Sequence, residues 1–249
     1  MLLTGASSGI GEALAREISR RGAILGLIAR REGKLKEISK AIEEDGGQAI
    51  CFPCDVTEKD SVFAAADRMR KDFGKIDLMI ANAGIGGNNN ETRKLDPDAV
   101  AKVININLLG AVNSVSAVLP DMLTRGEGQL VAVSSLAGIR GLPKSAAYCA
   151  SKSGMTAFFE SVRLDVQQKG VAVTIIQPGF IKTPLTSGRE NKMPFIMELE
   201  DSVPLFLKAI ERKKKFASFP WQLATIVRAA KIFPAWLYDQ IGGEVKYRE

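Results

Sequence analysis

The chain has 249 residues, of which 46% are hydrophobic and 25% charged, and its formal net charge is +6. That length allows one large domain with a full core, or two small ones. The chain contains no histidine, which excludes a Ser-His-Asp or Cys-His nucleophile and every histidine-ligated metal site. Proton chemistry must therefore use Tyr, Lys, Asp, Glu or Cys. The positive charge forms no stripe with interleaved aromatic residues, so we expect no nucleic acid partner.

The three cysteines, Cys51, Cys54 and Cys149, are too few for a disulfide framework. That usage is typical of a reducing compartment, which predicts a cytoplasmic protein. Cys51 and Cys54 form a C-x-x-C motif, but Phe and Pro lie between them in an apolar run, so we expect no metal or redox chemistry there. No segment reaches the ~18 uninterrupted apolar residues of a membrane span.

A glycine-rich loop at residues 4–11 follows an apolar start at residues 1–3. After it, apolar residues recur every four positions as in a helix that faces a core, and residues 23–29 are apolar enough for a buried strand. Strand, glycine-rich turn, helix and strand form the dinucleotide-binding unit, in which pyrophosphate binds to amides at the helix N-terminus. Because the loop begins at residue 4, we expect no signal peptide before it. The loop residues predicted to bind the cofactor are Gly5, Ser7, Ser8, Gly9, Ile10 and Gly11.

Two arginines, Arg30 and Arg31, follow the second predicted strand. NAD-binding proteins carry an acidic residue there, which holds the ribose 2′-hydroxyl. A guanidinium instead binds a 2′-phosphate, so the sequence favours NADP over NAD. Glu32 leaves NAD open as the alternative, because a shift of one residue would bring an acid into reach.

The alternation of helices and strands continues along the chain and predicts a Rossmann-type, doubly wound parallel sheet with helices on both faces. Thr57 and Asp60 resemble a capping box at the start of the third helix. A long helix is expected from Pro97 to about residue 122, and another from the region of Tyr148 to Gly170. The later predicted strands are residues 48–54, 76–81, 129–134 and 171–177.

Polar and glycine-rich positions fall where the predicted strands end. A doubly wound sheet binds its ligands at the carboxyl ends of its strands. Unrelated residues would scatter between both ends, so this co-location predicts a functional site. Besides the glycine loop, the positions concerned are Arg30, Asp55, Asn82, Ser135 and Pro178.

Tyr148 and Lys152 lie four residues apart in a predicted helix, so their side chains share one face. Lowering a tyrosine pKa from about 10 to about 7 takes roughly 4 kcal/mol. A unit charge at about 4 Å supplies about that much at an effective dielectric of about 20. Such a tyrosine suits acid–base work on a hydroxyl or carbonyl. Taken alone, the pair is more typical of a surface Tyr and Lys on an ordinary amphipathic helix, and the rest of the chain changes that interpretation.

Four motifs together resemble the short-chain dehydrogenase/reductase family over roughly residues 1–185. They are Thr-Gly-Ala-Ser-Ser-Gly-Ile-Gly at 4–11, Ala-Asn-Ala-Gly at 81–84, Tyr-Cys-Ala-Ser-Lys at 148–152 and Pro-Gly-Phe-Ile-Lys-Thr at 178–183. The resemblance implies that Tyr148 is the acid–base, that Lys152 binds the nicotinamide ribose and lowers the Tyr pKa, and that Ser135 holds the substrate oxygen. It also implies that Asn107 binds a proton-relay water, although the helical pattern alone does not choose between Asn107 and Asn105.

The resemblance also implies a set of cofactor contacts and an activity. The activity is NADP(H)-dependent interconversion of a carbonyl and an alcohol on a mainly apolar small molecule, by a homodimer or homotetramer. The alternative is a non-catalytic NADP-sensing protein on the same fold. Ala81 replaces an Asn that is frequent in the family. The matching cofactor positions are Gly5, Ser8, Ile10, Asp55, Val56, Asn82, Ala83, Gly84, Tyr148, Lys152, Pro178, Gly179, Ile181 and Thr183.

We predict one domain over residues 1–220, with an apolar substrate lid at about 186–212, and a helical tail over residues 221–249. Apolar residues of the tail fall on one helical face, and Pro234 interrupts the pattern. Docking on its own domain or on a sister subunit is one interpretation of the tail. Peripheral contact with a membrane through a basic amphipathic helix is the other.

Overall fold

The computed structural model describes residues 1–86, 95–188 and 193–243, and these contain one seven-stranded parallel sheet with the strand order β3-β2-β1-β4-β5-β6-β7. Helices cover both faces of the sheet, which confirms the predicted doubly wound Rossmann-type fold with a helical C-terminus. The strands are β1 (Leu2–Thr4), β2 (Ile24–Ala29), β3 (Gln48–Pro53), β4 (Leu78–Ala81), β5 (Gly128–Val133), β6 (Val171–Pro178) and β7 (Phe216–Phe219).

The helices follow the strands in alternation up to β6, and two more helices form the tail. A π-helical turn (Asn105–Leu109) and a 3₁₀ turn (Leu136–Gly138) occur in addition. The α-helices are α1 (Gly9–Ser19), α2 (Glu32–Glu44), α3 (Lys59–Phe73), α4 (Pro97–Ile104), α5 (Gly110–Ser116), α6 (Leu119–Arg125), α7 (Ala146–Val166), α8 (Leu199–Glu211), α9 (Trp221–Ile232) and α10 (Ala235–Gly243).

The sheet separates two apolar cores, because successive side chains of a strand point to opposite faces. In β5, Leu130 and Ala132 join the core beneath α3 and α7, where Phe159 is fully buried. Val131 and Val133 join the core beneath α1, α2 and α8. Both faces of this strand are therefore buried, which explains why its residues 130–133 are continuously apolar.

The predicted capping box at Thr57 is wrong. Helix α3 begins at Lys59, and its N-cap residue Glu58 makes no side-chain capping bond. The Thr57 hydroxyl instead donates to Asp55 Oδ1 at 2.9 Å, and the Thr57 amide donates to the same atom at 3.0 Å. A local turn around Asp55 competes successfully with the helix for this side chain. It holds Asp55 at the carboxyl end of β3.

The long helix predicted from Pro97 is interrupted by the π turn at Asn105–Leu109. The stretch Pro97–Arg125 has the length and apolar composition of a membrane span, and half of its most apolar window is buried inside the protein. A helix buried in the core of a protein can have the same length and apolar composition. The π turn matters for the site, because it sets which face of this segment Asn107 occupies.

The predicted lid at 186–212 is too long at its C-terminal end. Residues 199–211 form α8, and Phe206 of that helix is fully buried against Phe219 of β7, with ring centres 4.9 Å apart. The apolar pattern of this segment therefore reflects a core helix. Residues 189–192 lie outside the described part of the chain. The described residues of the predicted lid that border the central cavity are Thr186, Met193 and Pro194.

Candidate active site

The first strand and the fourth are tied together at the carboxyl edge of the sheet by Thr4. Its hydroxyl accepts the amides of Asn82 at 3.0 Å and Ala83 at 3.1 Å. In return, Asn82 Nδ2 donates to the carbonyls of Thr4 at 3.0 Å and Gly5 at 3.3 Å. Thr4 is fully engaged beneath the loop, and sequence reasoning did not assign it a role. Its place as the first residue of the glycine motif was the available signal.

The glycine-rich loop needs glycine because backbone approaches backbone there. A Cβ on Gly11 would lie 2.2 Å from the Gly5 carbonyl oxygen, and Gly5 itself has a φ of +67°. The tight loop delivers the N-terminus of α1, with Ser8 as N-cap residue, to the edge of the cavity. Backbone N–H groups at such a terminus favour anionic oxygens. The cradle therefore fits the pyrophosphate of a dinucleotide.

Arg30 and Arg31 stand beside that loop. Arg31 Nη2 donates to Ser8 Oγ at 2.7 Å and to Ser7 Oγ at 2.9 Å. Arg30 Nη1 lies 3.6 Å from Asp55 Oδ2. Both guanidinium groups line the same end of the cavity. Together they form a positive edge next to the glycine cradle.

Lys152 is almost completely buried, and its Nζ donates to the Val133 carbonyl at the end of β5 at 2.8 Å. Nζ also lies 3.8 Å from Met155 Sδ and 6.0 Å from the ring centre of Tyr148. Burial disfavours the charged amine and lowers the pKa of Lys152 to about 8. The structure therefore places the predicted amine beside the predicted phenol, in a dry setting.

Asn107 is fully buried, whereas Asn105 is exposed. Asn107 Oδ1 accepts the Ile85 amide at 2.8 Å, and its Nδ2 donates to the Ile85 carbonyl at 3.0 Å and to Ser151 Oγ at 2.9 Å. Ser151 Oγ in turn donates to the Tyr148 carbonyl at 2.8 Å. Asn107 thus connects the wall after β4 to the turn of α7 that carries Tyr148.

Ser135 follows β5, and its Oγ accepts the Ala137 amide at 3.1 Å at the start of the 3₁₀ turn. The neighbouring Ser134 bonds the Lys152 carbonyl at 3.0 Å and Thr156 Oγ1 at 2.8 Å, which fastens α7 to the sheet. A Cβ on Gly138 would lie 2.8 Å from the carbonyl carbon of Lys152. The loop after β5 and helix α7 therefore approach each other as closely as backbones can.

One cavity of about 690 Å³ lies at the carboxyl edge of the sheet. Every predicted site residue lines it except Asn107, which lies behind its wall. Of the predicted apolar lid, Met193 lines it, whereas Phe206 lies in the core, and Leu142 and Phe180 add apolar lining from outside the lid. Sequence reasoning missed the contribution of the tail. The cavity residues from the tail are Leu223, Ile226, Val227, Ala230 and Tyr238.

A doubly wound parallel sheet, a glycine cradle at its first strand, and Ser135, Tyr148 and Lys152 around the same cavity define a Rossmann-fold oxidoreductase. The family model for short chain dehydrogenases matches residues 1–194. The chain belongs to the short-chain dehydrogenase/reductase family.

Two curated relatives span most of this chain. An uncharacterized oxidoreductase of Myxococcus xanthus is 43% identical over 238 residues, with 96% of this chain and 94% of the relative covered. A fatty acyl-CoA reductase of Acinetobacter baylyi is 32% identical over 231 residues, with 92% of this chain and 78% of the relative covered.

Solved structures of the same family superpose closely. A metagenomic short-chain oxidoreductase in complex with NADP has a TM-score of 0.75 and 29% identity, with 87% of this chain and 92% of the other covered. A short chain dehydrogenase/reductase of Burkholderia phymatum in complex with NAD has a TM-score of 0.84 and 24% identity, with 91% and 90% covered. The second likeness is one of fold.

Burial of Lys152 makes a specific prediction about stability and pH. The folded protein releases this proton near pH 8, whereas the unfolded chain keeps it to about pH 10.5. At high pH the amine is neutral in both states, so its burial costs little. As pH falls from about 10.5 to about 8, the unfolded chain takes up the proton before the folded protein does, and the free energy of unfolding decreases by roughly 3 kcal/mol in total. We expect Lys152→Met to gain stability relative to wild type as pH falls from about 10 to about 7, in urea unfolding.

The control for that measurement is Lys169→Met, because Lys169 is exposed. Its stability difference from wild type should not change over the same pH range. A pH-independent difference for Lys152→Met would contradict the burial of the amine.

Proposed function

We propose that this protein is an NADP(H)-dependent oxidoreductase that interconverts a ketone or aldehyde and the corresponding alcohol on a mainly apolar small molecule. The observation that carries the proposal is the convergence of Ser135, Tyr148 and Lys152 on the cavity that also holds the glycine cradle. These three side chains come from the loop after β5 and from α7, so the fold brings them together.

The proton chemistry is assigned to Tyr148, with Lys152 as its neighbour. When bound, the nicotinamide supplies or accepts the hydride. Tyr148 donates a proton to the carbonyl oxygen in reduction and removes it from the hydroxyl in oxidation. A pKa of about 8 leaves Lys152 mostly charged at neutral pH, so its ammonium favours the phenolate form of Tyr148.

Ser135 is assigned to the substrate oxygen. Its Oγ already accepts the Ala137 amide, so the hydroxyl hydrogen is the group that it offers to the cavity. A donor fixed in place by its own hydrogen bond stabilises negative charge that develops on the substrate oxygen without reorganising. Ser135 therefore acts as an oxyanion donor in this proposal.

Asn107 is assigned a supporting part. Its side-chain amide bonds to both backbone groups of Ile85 and to Ser151, and Ser151 holds the Tyr148 carbonyl. Asn107 thereby orients the turn that presents Tyr148. A proton-relay water at Asn107 stays a prediction from the family resemblance.

Several charges support NADP as the preferred cofactor. Arg30 and Arg31 stand at the end of β2, where a 2′-phosphate would lie. Glu32, which would favour NAD, pairs with Lys36 at 2.7 Å, and that contact lowers the pKa of the Glu32 carboxyl. The Glu32 carboxylate is therefore paired within α2. The metagenomic relative was solved with NADP.

The lining of the cavity beyond Ser135 supports an apolar substrate. Leu136, Leu142, Phe180 and Met193 contribute apolar side chains to it. The match with the fatty acyl-CoA reductase of Acinetobacter baylyi covers 92% of this chain. Long-chain aldehydes therefore belong in the first substrate panel, beside cyclic ketones.

We expect Tyr148→Phe to abolish turnover while NADPH binds nearly as in wild type, because the substitution removes only the hydroxyl. NADPH consumption over a panel of apolar aldehydes and ketones measures turnover, and quenching of protein fluorescence measures cofactor binding. A near wild-type rate for Tyr148→Phe would contradict the assignment of the acid–base. A wild-type protein that binds NADPH and reduces nothing would favour the non-catalytic NADP-sensing alternative.

We expect Arg31→Met to lower kcat/KM for NADPH by about ten- to hundredfold, since a hydrogen bond to a charged group contributes about 1.5–3 kcal/mol. The value for NADH should change little, because NADH carries no 2′-phosphate. Lys34→Met is the control, as Lys34 is exposed and pairs with Glu37 on the same stretch of α2. Equal losses with both cofactors would show that Arg31 supports the loop rather than the phosphate.

A homodimer or homotetramer and a cytoplasmic location accompany the proposal. Pairing through α7 and the helix of Asn107 is supported by two exposed leucines on those segments, Leu109 and Leu164. Sedimentation as a monomer would contradict the pairing.

The cytoplasmic location is supported by the free thiols of Cys51, Cys54 and Cys149. Recovery in the membrane fraction of lysed cells would favour peripheral membrane contact of the tail.

A further inference from the structure

The C-terminal helices are fastened to the loop after β5 by Arg140. Arg140 Nη1 donates to the Phe233 carbonyl at 2.9 Å and also to the Ala230 carbonyl. Its guanidinium carbon lies 3.8 Å from the ring centre of Tyr238. The Tyr238 hydroxyl donates to the Gly141 carbonyl at 2.6 Å. We call these contacts, which join residues about 90 positions apart, the Arg140 clamp.

Arg140 adds a second donor at the C-terminal end of α9, where the Ala230 carbonyl already accepts the Phe233 amide at 3.3 Å. In a continuous helix, the Ala230 carbonyl would accept the backbone N–H of residue 234. That residue is Pro234, which has no N–H. Arg140 therefore takes the acceptor position that the missing N–H leaves beside the Phe233 amide, and its positive charge is favourable at a helix C-terminus. The contact is therefore specific to a helix that ends at this place.

The face of the tail that the clamp holds is apolar and borders the cavity. Leu223 and Ala224 are buried against Leu136, the residue after Ser135. Ile226 and Val227 line the cavity next to them. A Cβ on Gly179 would lie 2.8 Å from Leu223 Cδ2, so the tail packs directly on the backbone after β6.

Charge is consistent with an uncharged ligand at this wall. The described loop at 136–143 borders the cavity and contains one charged residue, Arg140. The guanidinium of Arg140 contacts backbone carbonyls and the Tyr238 ring. The remaining side chains that the tail presents there are Leu223, Ile226, Val227, Ala230 and Tyr238.

We propose that Arg140 is a positioning residue, and that the tail it holds forms a specificity wall for substrates whose carbonyl carries an elongated, uncharged apolar group. This inference rests on the proposed oxidoreductase function. Ser135 and Tyr148 then act on the carbonyl end, while the tail contacts the apolar remainder. The wall binds apolar surface by removing it from water, so its contribution grows with the length of the chain.

The test compares the ratio of kcat/KM for dodecanal and butanal in wild type, Arg140→Met and Tyr238→Phe. We expect this ratio to fall by about tenfold in Arg140→Met, carried by KM for dodecanal, and by less in Tyr238→Phe, which keeps the ring over Arg140. Arg140→Lys should recover only part of the ratio, because an ammonium does not reproduce a planar guanidinium that bridges two carbonyls and stacks on a ring. Arg228→Met is the matched control, since Arg228 lies on α9 but bonds Ser218.

Three results would overturn the proposal. Equal losses with both aldehydes would show a general structural effect, as would an equal effect of Arg228→Met. A loss confined to substrates with a carboxylate, such as 12-oxododecanoate, would show that Arg140 binds an anion instead of holding the tail.

A second readout separates this proposal from the proposed function. Hydrogen exchange of peptides within residues 221–243 should accelerate in Arg140→Met but not in Arg228→Met, and binding of the uncharged dye Nile red should weaken. If the wild type reduces no carbonyl, the proposed function fails. Hydrogen exchange and dye binding still test whether Arg140 holds the tail in place. Unchanged exchange and dye binding in Arg140→Met would refute the clamp even in an active enzyme.

Discussion

The hydrogen bond from the buried Lys152 amine to the Val133 carbonyl is the interaction on which the site depends. It brings a charged group into a dry place, and burial of that kind is costly unless the group is paired. The bond is possible only because α7 lies directly on the loop after β5, an approach that Gly138 permits and Ser134 fastens. Tyr148 takes its position on the same helix, so the placement of the phenol follows from the placement of the amine.

The sheet order determines which groups meet around that pair. Strand β1 lies between β2 and β4, so its glycine loop has Arg30 on one side and Asn82 on the other. Thr4 links the ends of β1 and β4, and Asn107 links the end of β4 to α7. The glycine loop and the helix that carries Tyr148 and Lys152 are thus connected through the ends of β1 and β4, at the switch point of the fold.

Sequence patterns predicted most of this arrangement, because they report local physics. Four-residue periodicity located the helices, continuous apolar runs located the buried strands, and parallel topology placed the carboxyl ends of the strands together. The errors have local causes as well. Thr57 satisfied Asp55 instead of a helix end, and α8 carried an apolar face for the core that resembled a lid. Asn105 and Asn107 could not be separated, since a π turn alters which residue of the segment faces inward.

Long-range contacts of single side chains lay beyond those patterns. Nothing in the neighbourhood of Arg140 in the sequence indicates that its partners are Ala230, Phe233 and Tyr238. Pro234 was visible as a break in the tail, but which donor would serve the Ala230 carbonyl depends on how the tail folds back. The break at Pro234 was therefore visible in the sequence, whereas the second donor to the Ala230 carbonyl, beside the Phe233 amide, came from tertiary structure.

The family match and the cavity divide the chain in an informative way. The family model ends at residue 194, and the residues assigned to hydride and proton chemistry all precede that point. The cavity, however, is completed by residues after 220, from Leu223 to Tyr238. Chemistry that many relatives share needs a constant set of groups, whereas selection among substrates needs a wall that can differ between them. In our proposal, the tail, which lies beyond the family model and is anchored to the loop that follows Ser135, meets the second need without disturbing the first.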